Sequence, residues 1–367
     1  MSGPSSSIAP TSREPLLHSA LPYTRALSFE PLLHGRTAVT PIDELFGWLG
    51  RGEVYAKRDD LAHPLYGGNK VRKFEWLLGA ARARGATDLV ALGAIASTQV
   101  TATATLGRAL GYRVHAVLFE QPMTAFARRA LLANHAVGLM QSFAGGMAAA
   151  SVQALRLLRS LGPTSFAVLP GASTPLPNLG FIEAALEVGE QVRRHEAPRP
   201  DAVIVPAGTC GTAVGLALGF RLLGWDTEVV AVRIGPRIGC NEALVTLVDY
   251  ATRRAIATRD KSFERRLRGK ARVTMDHHAC GEGYGYPTEE ALEGAERLAA
   301  ITGYAGEITY TGKAVAALHR LARGRLAKAK SIWLWNTLTQ RPPPGLDADE
   351  TTLPPDIAAL LRRPTVA

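Results

Sequence analysis

The chain has 367 residues, of which 47% are hydrophobic and 20% charged, and a formal net charge of +10; this composition fits one large or two ordinary globular domains. Its three cysteines (Cys210, Cys240 and Cys280) show no paired spacing, which excludes a disulfide-stapled secreted domain and favours reduced thiols in a cytoplasmic protein. No apolar run approaches the roughly 20 residues that a membrane-spanning helix needs, so we expect no membrane association.

The first 21 residues carry neither a basic start nor an apolar core, so we predict a disordered leader rather than a signal peptide. The stretch LYGGNKVRKFEW follows at 65–76, where two glycines precede Asn69 and Lys70 and an apolar pattern of helical period begins directly afterwards. A lysine is ordinarily a solvated surface charge. Behind a flexible turn and before an apolar face, the Lys70 amine could instead point into a cleft, and the residues alone leave both interpretations open.

Short apolar runs rich in Val and Ile alternate with segments of helical period along the rest of the chain. The predicted strands are 87–94, 112–119, 165–171, 201–208, 227–235, 271–275 and 331–337. The predicted helices between them include 97–110, 125–135, 147–161, 178–194 and 212–223. Buried strands separated by helices indicate an α/β fold with open, mainly parallel sheets, in which ligands bind beyond the carboxyl ends of the strands.

Two of these strand ends are followed by residues suited to binding. After the first strand, Ser97 stands at the start of a helix with Thr98 and Gln99 in its first turn. Exposed N–H groups and hydroxyls there would hold a ligand carboxylate; a plain serine cap is the alternative. After 201–208, the turn Gly208–Thr212 is suited to a phosphate cradle, with an ordinary glycine-rich turn as an equal alternative.

Further along, the segment Arg253–Arg272 holds nine basic and two acidic residues. A solvated helix face with a loop is the favoured interpretation, because the basic residues do not alternate with aromatic ones as in a nucleic-acid stacking platform. A site for an anion is the weaker alternative. No metal site is predicted at His277, His278 and Cys280, because adjacent residues of a strand face opposite ways.

Two tyrosines follow in glycine-containing stretches, Tyr284 in GYGYP and Tyr310 in YTGKA, the latter next to Thr311. A tyrosine taken singly lies at the edge of a core more often than it acts as a catalyst. The proline run Pro342–Pro344 marks the end of the compact body, and residues 342–367 are predicted to form a C-terminal tail.

Taken together, these pieces resemble the pyridoxal-phosphate (PLP) enzymes of fold type II, the tryptophan synthase β superfamily. Within it they are similar to the branch that contains D-cysteine desulfhydrase and 1-aminocyclopropane-1-carboxylate (ACC) deaminase. That branch's most specific signature is KRDDL (57–61) followed by GGNKVRK (67–73). The order continues with PGASTPLPNLGFIEAALE (170–187), GTCGT (208–212), GYGYP (283–287) and YTGKA (310–314). The resemblance covers residues 22–337 and implies two α/β sheet domains with PLP in the cleft between them.

The resemblance also implies roles for single residues. Lys70 would form the Schiff base with the cofactor aldehyde and then act as a proton-transfer base. Ser97 and Gln99 would hold the substrate carboxylate, and Ser97, Tyr284 and Tyr310 would join Lys70 as catalytic residues. The residues that would contact the cofactor are Lys70, Asn69, Thr98, Gly208, Thr209, Cys210, Gly211, Thr212 and Thr311, the last of them at the pyridine nitrogen. No metal belongs to this set.

Several positions depart from the family's usual residues. Thr98 stands where asparagine is usual, and Thr209-Cys210 where Ser-Gly is common. Gln99 is the residue expected of ACC deaminases, whereas Thr311 is expected of the desulfhydrases, since ACC deaminases carry an acid there. The family's terminal His-Thr-Gly-Gly is replaced at 336–339 by Asn-Thr-Leu-Thr, so the identity of the substrate does not follow from the resemblance.

We therefore expect a PLP-dependent lyase or deaminase of a small amino acid, which converts a D-cysteine-like substrate by α,β-elimination to a keto acid and ammonia. The alternatives are an ACC deaminase that forms 2-oxobutanoate and ammonia, a PLP-binding protein without turnover, and an anion binder that uses Arg253–Arg272. The expected protein is a cytoplasmic homodimer that binds neither nucleic acid nor membrane. Its large domain would combine 22–72 with 182–341, and its small domain would span 73–181.

Overall fold

The computed structural model describes residues 13–42, 53–303, 307–339 and 350–366. The first twelve residues of the expected leader and the proline run Pro342–Pro344 lie outside these ranges. Within them, no helix has the length and apolar character needed to cross a membrane.

The strands of the described ranges form two open sheets. They are β1 Val39–Pro41, β2 Glu53–Lys57, β3 Asp88–Ala94, β4 Arg113–Phe119, β5 Met140–Phe143, β6 Ser165–Val168, β7 Ala202–Ala207, β8 Glu228–Arg233, β9 Arg272–Asp276 and β10 Ser331–Trp335. The larger sheet has the order β1-β2-β10-β7-β8-β9, and the smaller has the order β5-β4-β3-β6. Every pair is parallel except β1 with β2, so the expected α/β fold with two mainly parallel sheets is confirmed.

Helices lie between most of these strands. They are α1 Leu17–Ala20, α2 Lys70–Ala83, α3 Thr98–Ala109, α4 Ala125–Ala136, α5 Met147–Leu161, α6 Pro175–Arg193, α7 Gly211–Leu222, α8 Glu242–Ala257, α9 Phe263–Arg266, α10 Glu289–Thr302, α11 Thr311–Arg323 and α12 Pro355–Leu361. Each predicted strand and helix is present with ends that differ by a few residues. The sequence analysis missed β1, β2 and β5, which are short; β2 also carries the charged residues Glu53 and Lys57.

Strand β7 shows why the strand sequences are continuous apolar runs rather than alternating ones. Its successive side chains point to opposite faces of the larger sheet. Ala202 and Ile204 pack into the core on one face, and Val203 and Val205 pack into the core on the other. Because helices cover both faces, both sets of side chains must be apolar.

A buried ionic cluster joins the larger sheet to the two helices that lead to and from the smaller one. The Arg72 guanidinium of α2 donates to Asp59 from Nε at 2.9 Å and to Glu187 of α6 from Nη1 at 2.9 Å. Lys57, the last residue of β2, lies 2.6 Å from the same Glu187 carboxylate. Burial by itself raises the pKa of Glu187, but the charges of Arg72 and Lys57 outweigh burial and hold that pKa well below its usual range.

Close backbone packing accompanies this cluster at the crossing of α2 and α6. A Cβ added at Gly180 of α6 would lie 2.1 Å from the carbonyl oxygen of Arg72. Glycine is therefore required for the helices to approach closely enough for Arg72 to reach Glu187.

Residues 13–21 correct the prediction of a disordered leader over its described part. Leu17 and Leu21 are fully buried, and Arg13 forms ion pairs with Glu75 and Glu183. A few side chains anchor the segment to helices that are distant in sequence. Anchoring of this kind leaves no periodic pattern in the segment itself.

The predicted C-terminal tail is likewise wrong for residues 350–366. Ile357 and Leu360 of α12 are buried in the core of the smaller sheet, and Asp356 accepts a 2.6 Å hydrogen bond from the N–H of Phe143 at the end of β5. The four strands of the smaller sheet lie within 73–181 and those of the larger sheet lie outside that range. The domain boundaries themselves stay a prediction.

The buried cluster leads to a stability prediction. Arg72→Met keeps the side-chain length but leaves the Asp59 and Glu187 carboxylates short of a buried partner, so we expect the free energy of unfolding to fall by about 3–5 kcal/mol. Arg193→Ala is the matched control, because Arg193 is an exposed arginine whose pair with Glu190 should contribute less than about 1 kcal/mol. Urea denaturation followed by circular dichroism measures both. Equal losses in the two variants would show that the cluster does not stabilise the fold.

Candidate active site

A cavity of about 1180 Å³ opens between the two sheets. Its walls include residues at the carboxyl ends of β3 and β4 in the smaller sheet and of β7 in the larger sheet. This is the place where parallel α/β sheets bind ligands, because loops rather than helices cover the strand ends there.

Lys70 reaches this cavity through a turn that only glycine can form. A Cβ at Gly67 would lie 1.8 Å from the carbonyl oxygen of Asp60, and one at Gly68 would lie 2.6 Å from the carbonyl oxygen of Thr337. The N–H of Gly67 also donates to the hydroxyl of Thr339 at 2.9 Å. The turn is thereby held between two backbone segments, and α2 begins with Lys70 at the cavity wall.

The amine of Lys70 is buried and has one neutral neighbour. Its Nζ donates to the side-chain oxygen of Asn69 at 3.0 Å. Burial disfavours the ammonium form and lowers the pKa of Lys70 to about 8. About a tenth of the amine is therefore unprotonated and nucleophilic at pH 7, far more than for a solvent-exposed lysine.

The turn at 208–212 has the geometry of an anion cradle. Cys210 adopts a left-handed conformation with φ of 58°, and α7 begins at Gly211. The N–H of Gly211 donates to the carbonyl of Thr209 at 2.8 Å, whereas the N–H groups of Thr212 and Ala213 have no partner within the helix. A Cβ at Gly211 would lie 2.4 Å from Oδ1 of Asn178. The Thr209 hydroxyl lies 2.6 Å from that of Ser173. The back of the turn thus packs too closely for a side chain at Gly211, while its N–H groups at a helix N-terminus line the cavity, which suits a phosphate.

The helix α3 starts on the opposite side of the cavity with Ser97, Thr98 and Gln99. The Ser97 side chain makes no capping hydrogen bond, so the interpretation as a plain serine cap is not supported. Gln99 donates to the Thr103 hydroxyl at 3.2 Å, and its buried Oε1 has no hydrogen-bond partner among the described residues. A buried amide with an unused atom at a cavity wall is a binding group that a ligand can satisfy.

Tyr284 and Tyr310 form a hydroxyl pair in the same cavity. Their hydroxyls are hydrogen-bonded to each other, and Tyr310 is also hydrogen-bonded to the side chain of Thr98. Burial raises the pKa of Tyr310 to about 12 and raises that of Tyr284 well above its ordinary value. Both phenols keep their protons at neutral pH, so their hydroxyls are available there as hydrogen-bond donors.

Thr311 is the predicted site residue that the structure does not place on the cavity wall; all the others line it. Its hydroxyl and its N–H both bond to the carboxylate of Glu307, the N–H at 2.7 Å. Glu307 also accepts from the N–H of Tyr310 at 2.7 Å, and so it covers the start of α11. The sequence analysis missed Glu307, although an acidic residue shortly before a helix is a known start signal.

Two further wall residues were not predicted to belong to the site. Lys73 donates to the carbonyl of Gly171 at 2.9 Å and to the Ser173 hydroxyl at 2.6 Å. Ser173 is hydrogen-bonded to Thr209, so Lys73 helps to hold the cradle in place. Arg363 reaches the wall from the C-terminal segment and pairs with Glu120 at 2.5 Å. Both positions depend on contacts between parts of the chain that are distant in sequence.

The basic segment lies elsewhere. Within the described chain, none of the residues 253–272 lines the cavity. Arg253 pairs with Glu264 and with Asp249, and Arg266 pairs with Asp260. Part of the positive charge is therefore neutralised within the segment itself, as the interpretation of a solvated helix face requires.

Comparison with known proteins gives concordant matches. A family model described as pyridoxal-phosphate dependent enzyme matches residues 31–337. The D-cysteine desulfhydrase of Salmonella typhimurium is 30% identical over 300 residues, covering 78% of this chain and 87% of that protein. The protein of the same name from Salmonella paratyphi B is 30% identical over 293 residues, covering 77% of this chain and 85% of that protein.

Two solved structures share the fold. A crystal structure of an ACC deaminase homologue superposes with a TM-score of 0.72 at 24% identity, covering 92% of this chain and 96% of that one. An L-serine ammonia-lyase from the fungus Rhizomucor miehei superposes with a TM-score of 0.60 at 19% identity, covering 84% of this chain and 96% of that one. At these identities the likeness concerns the fold alone.

The depressed pKa of Lys70 can be tested through its reactivity. When the protein without cofactor is mixed with pyridoxal 5′-phosphate, we expect the rate of covalent attachment to rise with pH and to be half-maximal near pH 8, because only the unprotonated amine attacks. Stopped-flow absorbance measures this rate. Lys70→Ala should abolish attachment, whereas Lys328→Ala, at another lysine, should leave it unchanged. A midpoint near the ordinary lysine value of about 10.4 would contradict the burial argument.

Proposed function

Since the chain belongs to the family of pyridoxal-phosphate-dependent enzymes, we propose that it is a lyase that converts a small β-substituted amino acid, such as D-cysteine, to a keto acid and ammonia. The observation that carries the proposal is that a buried, partly unprotonated Lys70 and a protonated tyrosine pair lie in the same cavity. Relatives named D-cysteine desulfhydrase support the choice of substrate.

The residues present fit PLP. The cradle at 208–212 admits no side chain at Gly211 but offers helix N-terminal donors to a phosphate. Lys70 supplies the amine for covalent attachment to the aldehyde, and Asn69 lies beside it. When bound, PLP supplies an electron sink for negative charge at the substrate α-carbon, while the protein supplies orientation and electrostatics.

The remaining residues orient the substrate and move protons. Ser97 and Gln99 hold the substrate carboxylate at the start of α3, where the helix N-terminus favours negative charge. Lys70 takes the proton from the substrate α-carbon, because its lowered pKa allows it to be unprotonated and then to accept a proton near neutral pH. Tyr310, supported by Tyr284, donates a proton to the departing sulfur.

The residues at the start of α11 favour α,β-elimination over the ring opening that an ACC deaminase performs. Thr311, which the resemblance assigns to the pyridine nitrogen, lies behind the cavity wall with its hydroxyl on Glu307, and it is a neutral hydroxyl rather than an acid. The Glu307 carboxylate behind it is occupied by backbone N–H groups. A ring nitrogen without an acidic partner gives a moderate electron sink, which is sufficient to expel a good leaving group such as sulfide.

ACC deamination is the second candidate, and the buried amide of Gln99 at the cavity wall favours it.

We further propose that the protein is a cytoplasmic homodimer. The pairing of Arg253 and Arg266 with acids of their own segment gives no support to an anion-binding role for that segment.

The proposed reaction has a direct assay. Purified holoprotein given D-cysteine should release pyruvate, ammonia and sulfide in equal amounts, and Lys70→Ala should reduce release to background, because the variant lacks both the attachment point and the base. Lactate dehydrogenase coupling measures pyruvate, and methylene blue measures sulfide. Formation of 2-oxobutanoate from ACC alone would favour the second candidate. A cofactor absorbance band without keto acid from any D- or L-amino acid would show a protein without turnover.

The role of the tyrosine pair predicts a separate kinetic effect. Tyr310→Phe removes the proton donor while leaving the ring in place, so we expect kcat to fall about 100-fold or more with KM changed only a few-fold. Tyr286→Phe is the matched control at the partly exposed rim of the cavity, and it should keep nearly full activity. Steady-state kinetics with D-cysteine measures both variants. A rise in KM at constant kcat in Tyr310→Phe would instead assign the hydroxyl to substrate binding.

A further inference from the structure

Two of the three cysteines meet at the turn 208–212, although the sequence separates them by thirty positions. The sulfur atoms of Cys210 and Cys240 lie 3.8 Å apart. Both side chains are buried from bulk solvent, and both line the cavity, so a small solute in the cavity can reach them. The third cysteine, Cys280, is also a buried free thiol but its Sγ lies against the carbonyl of Gly235 at 3.3 Å.

The hydrogen bonds around the pair distinguish the two thiols. Cys240 lies 3.1 Å from the carbonyl oxygen of Ala207 and donates its S–H there, which leaves Cys210 as the donor to the Cys240 sulfur. This bond lowers the pKa of Cys240, aided by the charge of Arg233, and it raises the pKa of Cys210. Cys240 is therefore the thiol that ionises first and reacts first with an electrophile.

We propose that Cys210 and Cys240 are a site of reversible oxidation, at which a peroxide forms an intramolecular disulfide that weakens the hold of the cradle on a phosphate. The second half of this inference rests on the proposed function, since it assumes that the turn 208–212 binds the phosphate of PLP. The first half rests only on the thiol pair.

The oxidation balances with hydrogen peroxide as the oxidant. Cys240 loses its proton, its thiolate attacks one peroxide oxygen, and the O–O bond breaks. Cys240 becomes a sulfenic acid, and the released hydroxide combines with the lost proton as the first water. The Cys210 sulfur then attacks the Cys240 sulfur, the S–O bond breaks, and the thiol proton leaves with the oxygen as water. In total, two thiols and one peroxide give one disulfide and two waters.

Formation of the disulfide must move at least one of the two residues, because the pair is not at bonding distance. A disulfide bond is about 2.05 Å long, so the sulfurs must approach by well over 1 Å. Cys210 lies at the centre of the turn, in a left-handed conformation, directly before the first residue of α7. Movement of Cys210 toward Cys240 displaces the N–H groups of that turn, and the family's usual glycine at this position could not respond in this way.

The test treats purified holoprotein with hydrogen peroxide and then counts free thiols under denaturing conditions. We expect three thiols before treatment and one after, and tryptic peptide mass spectrometry should find a link between Cys210 and Cys240. The rate at which PLP leaves the protein during dialysis should rise about tenfold or more, and dithiothreitol should reverse both changes.

Matched variants separate this site from oxidation elsewhere. Cys280→Ser should still lose two thiols and release PLP faster, whereas Cys240→Ser should form no internal disulfide and keep its PLP release rate. A link to Cys280, three thiols that persist, or a disulfide that leaves PLP release unchanged would each overturn the inference. Thiol counts need no turnover, so a failure of the D-cysteine assay with reduced enzyme would sink the proposed function and leave the thiol result standing.

Discussion

The ion cluster of Arg72, Asp59 and Glu187 is the interaction on which the remaining architecture depends. Each of these charges is removed from water, and a buried charge is tolerated only when every partner is in place. The cluster therefore requires the end of β2, the start of α2 and the middle of α6 to meet at one point. Lys70 precedes Arg72 by two positions in α2, so the contacts that fix Arg72 also fix the direction in which the Lys70 amine points.

The same cluster changes the interpretation of the charged signature. Lys57, Asp59 and Arg72 come from the stretches KRDDL and GGNKVRK, whose charges suggest chemistry when they are seen only as a sequence. In the structure these side chains bind one another and Glu187 rather than a ligand. Their part is to hold the frame, while Lys70 lies at the cavity wall with a neutral neighbour.

Burial acts in opposite directions on the two kinds of group in the cavity. It disfavours the charged form of each, so it lowers the pKa of Lys70 to about 8 and raises the pKa of Tyr310 to about 12. One cavity thus holds an amine that is partly unprotonated and a phenol that keeps its proton at the same pH. A more solvated cleft would lower the unprotonated share of Lys70 by more than a hundredfold, because the pKa of the amine would return to its ordinary value of about 10.4.

The sequence by itself determined the fold class and the order of most strands and helices, and it singled out residues that, apart from Thr311, line one cavity; their roles stay predictions. These features depend on local signals: apolar runs, helical period, and glycines next to Lys70 and at 208–212. The tertiary structure alone decided what distant contacts create. It places Lys73 and Arg363 at the cavity wall and Cys210 beside Cys240. It also directs the Thr311 hydroxyl to Glu307. The tertiary structure also placed residues 13–21 and 350–366 in the fold, through a few ion pairs, hydrogen bonds and buried side chains that contact distant elements. Such contacts leave no periodic pattern in the sequence of the segment itself.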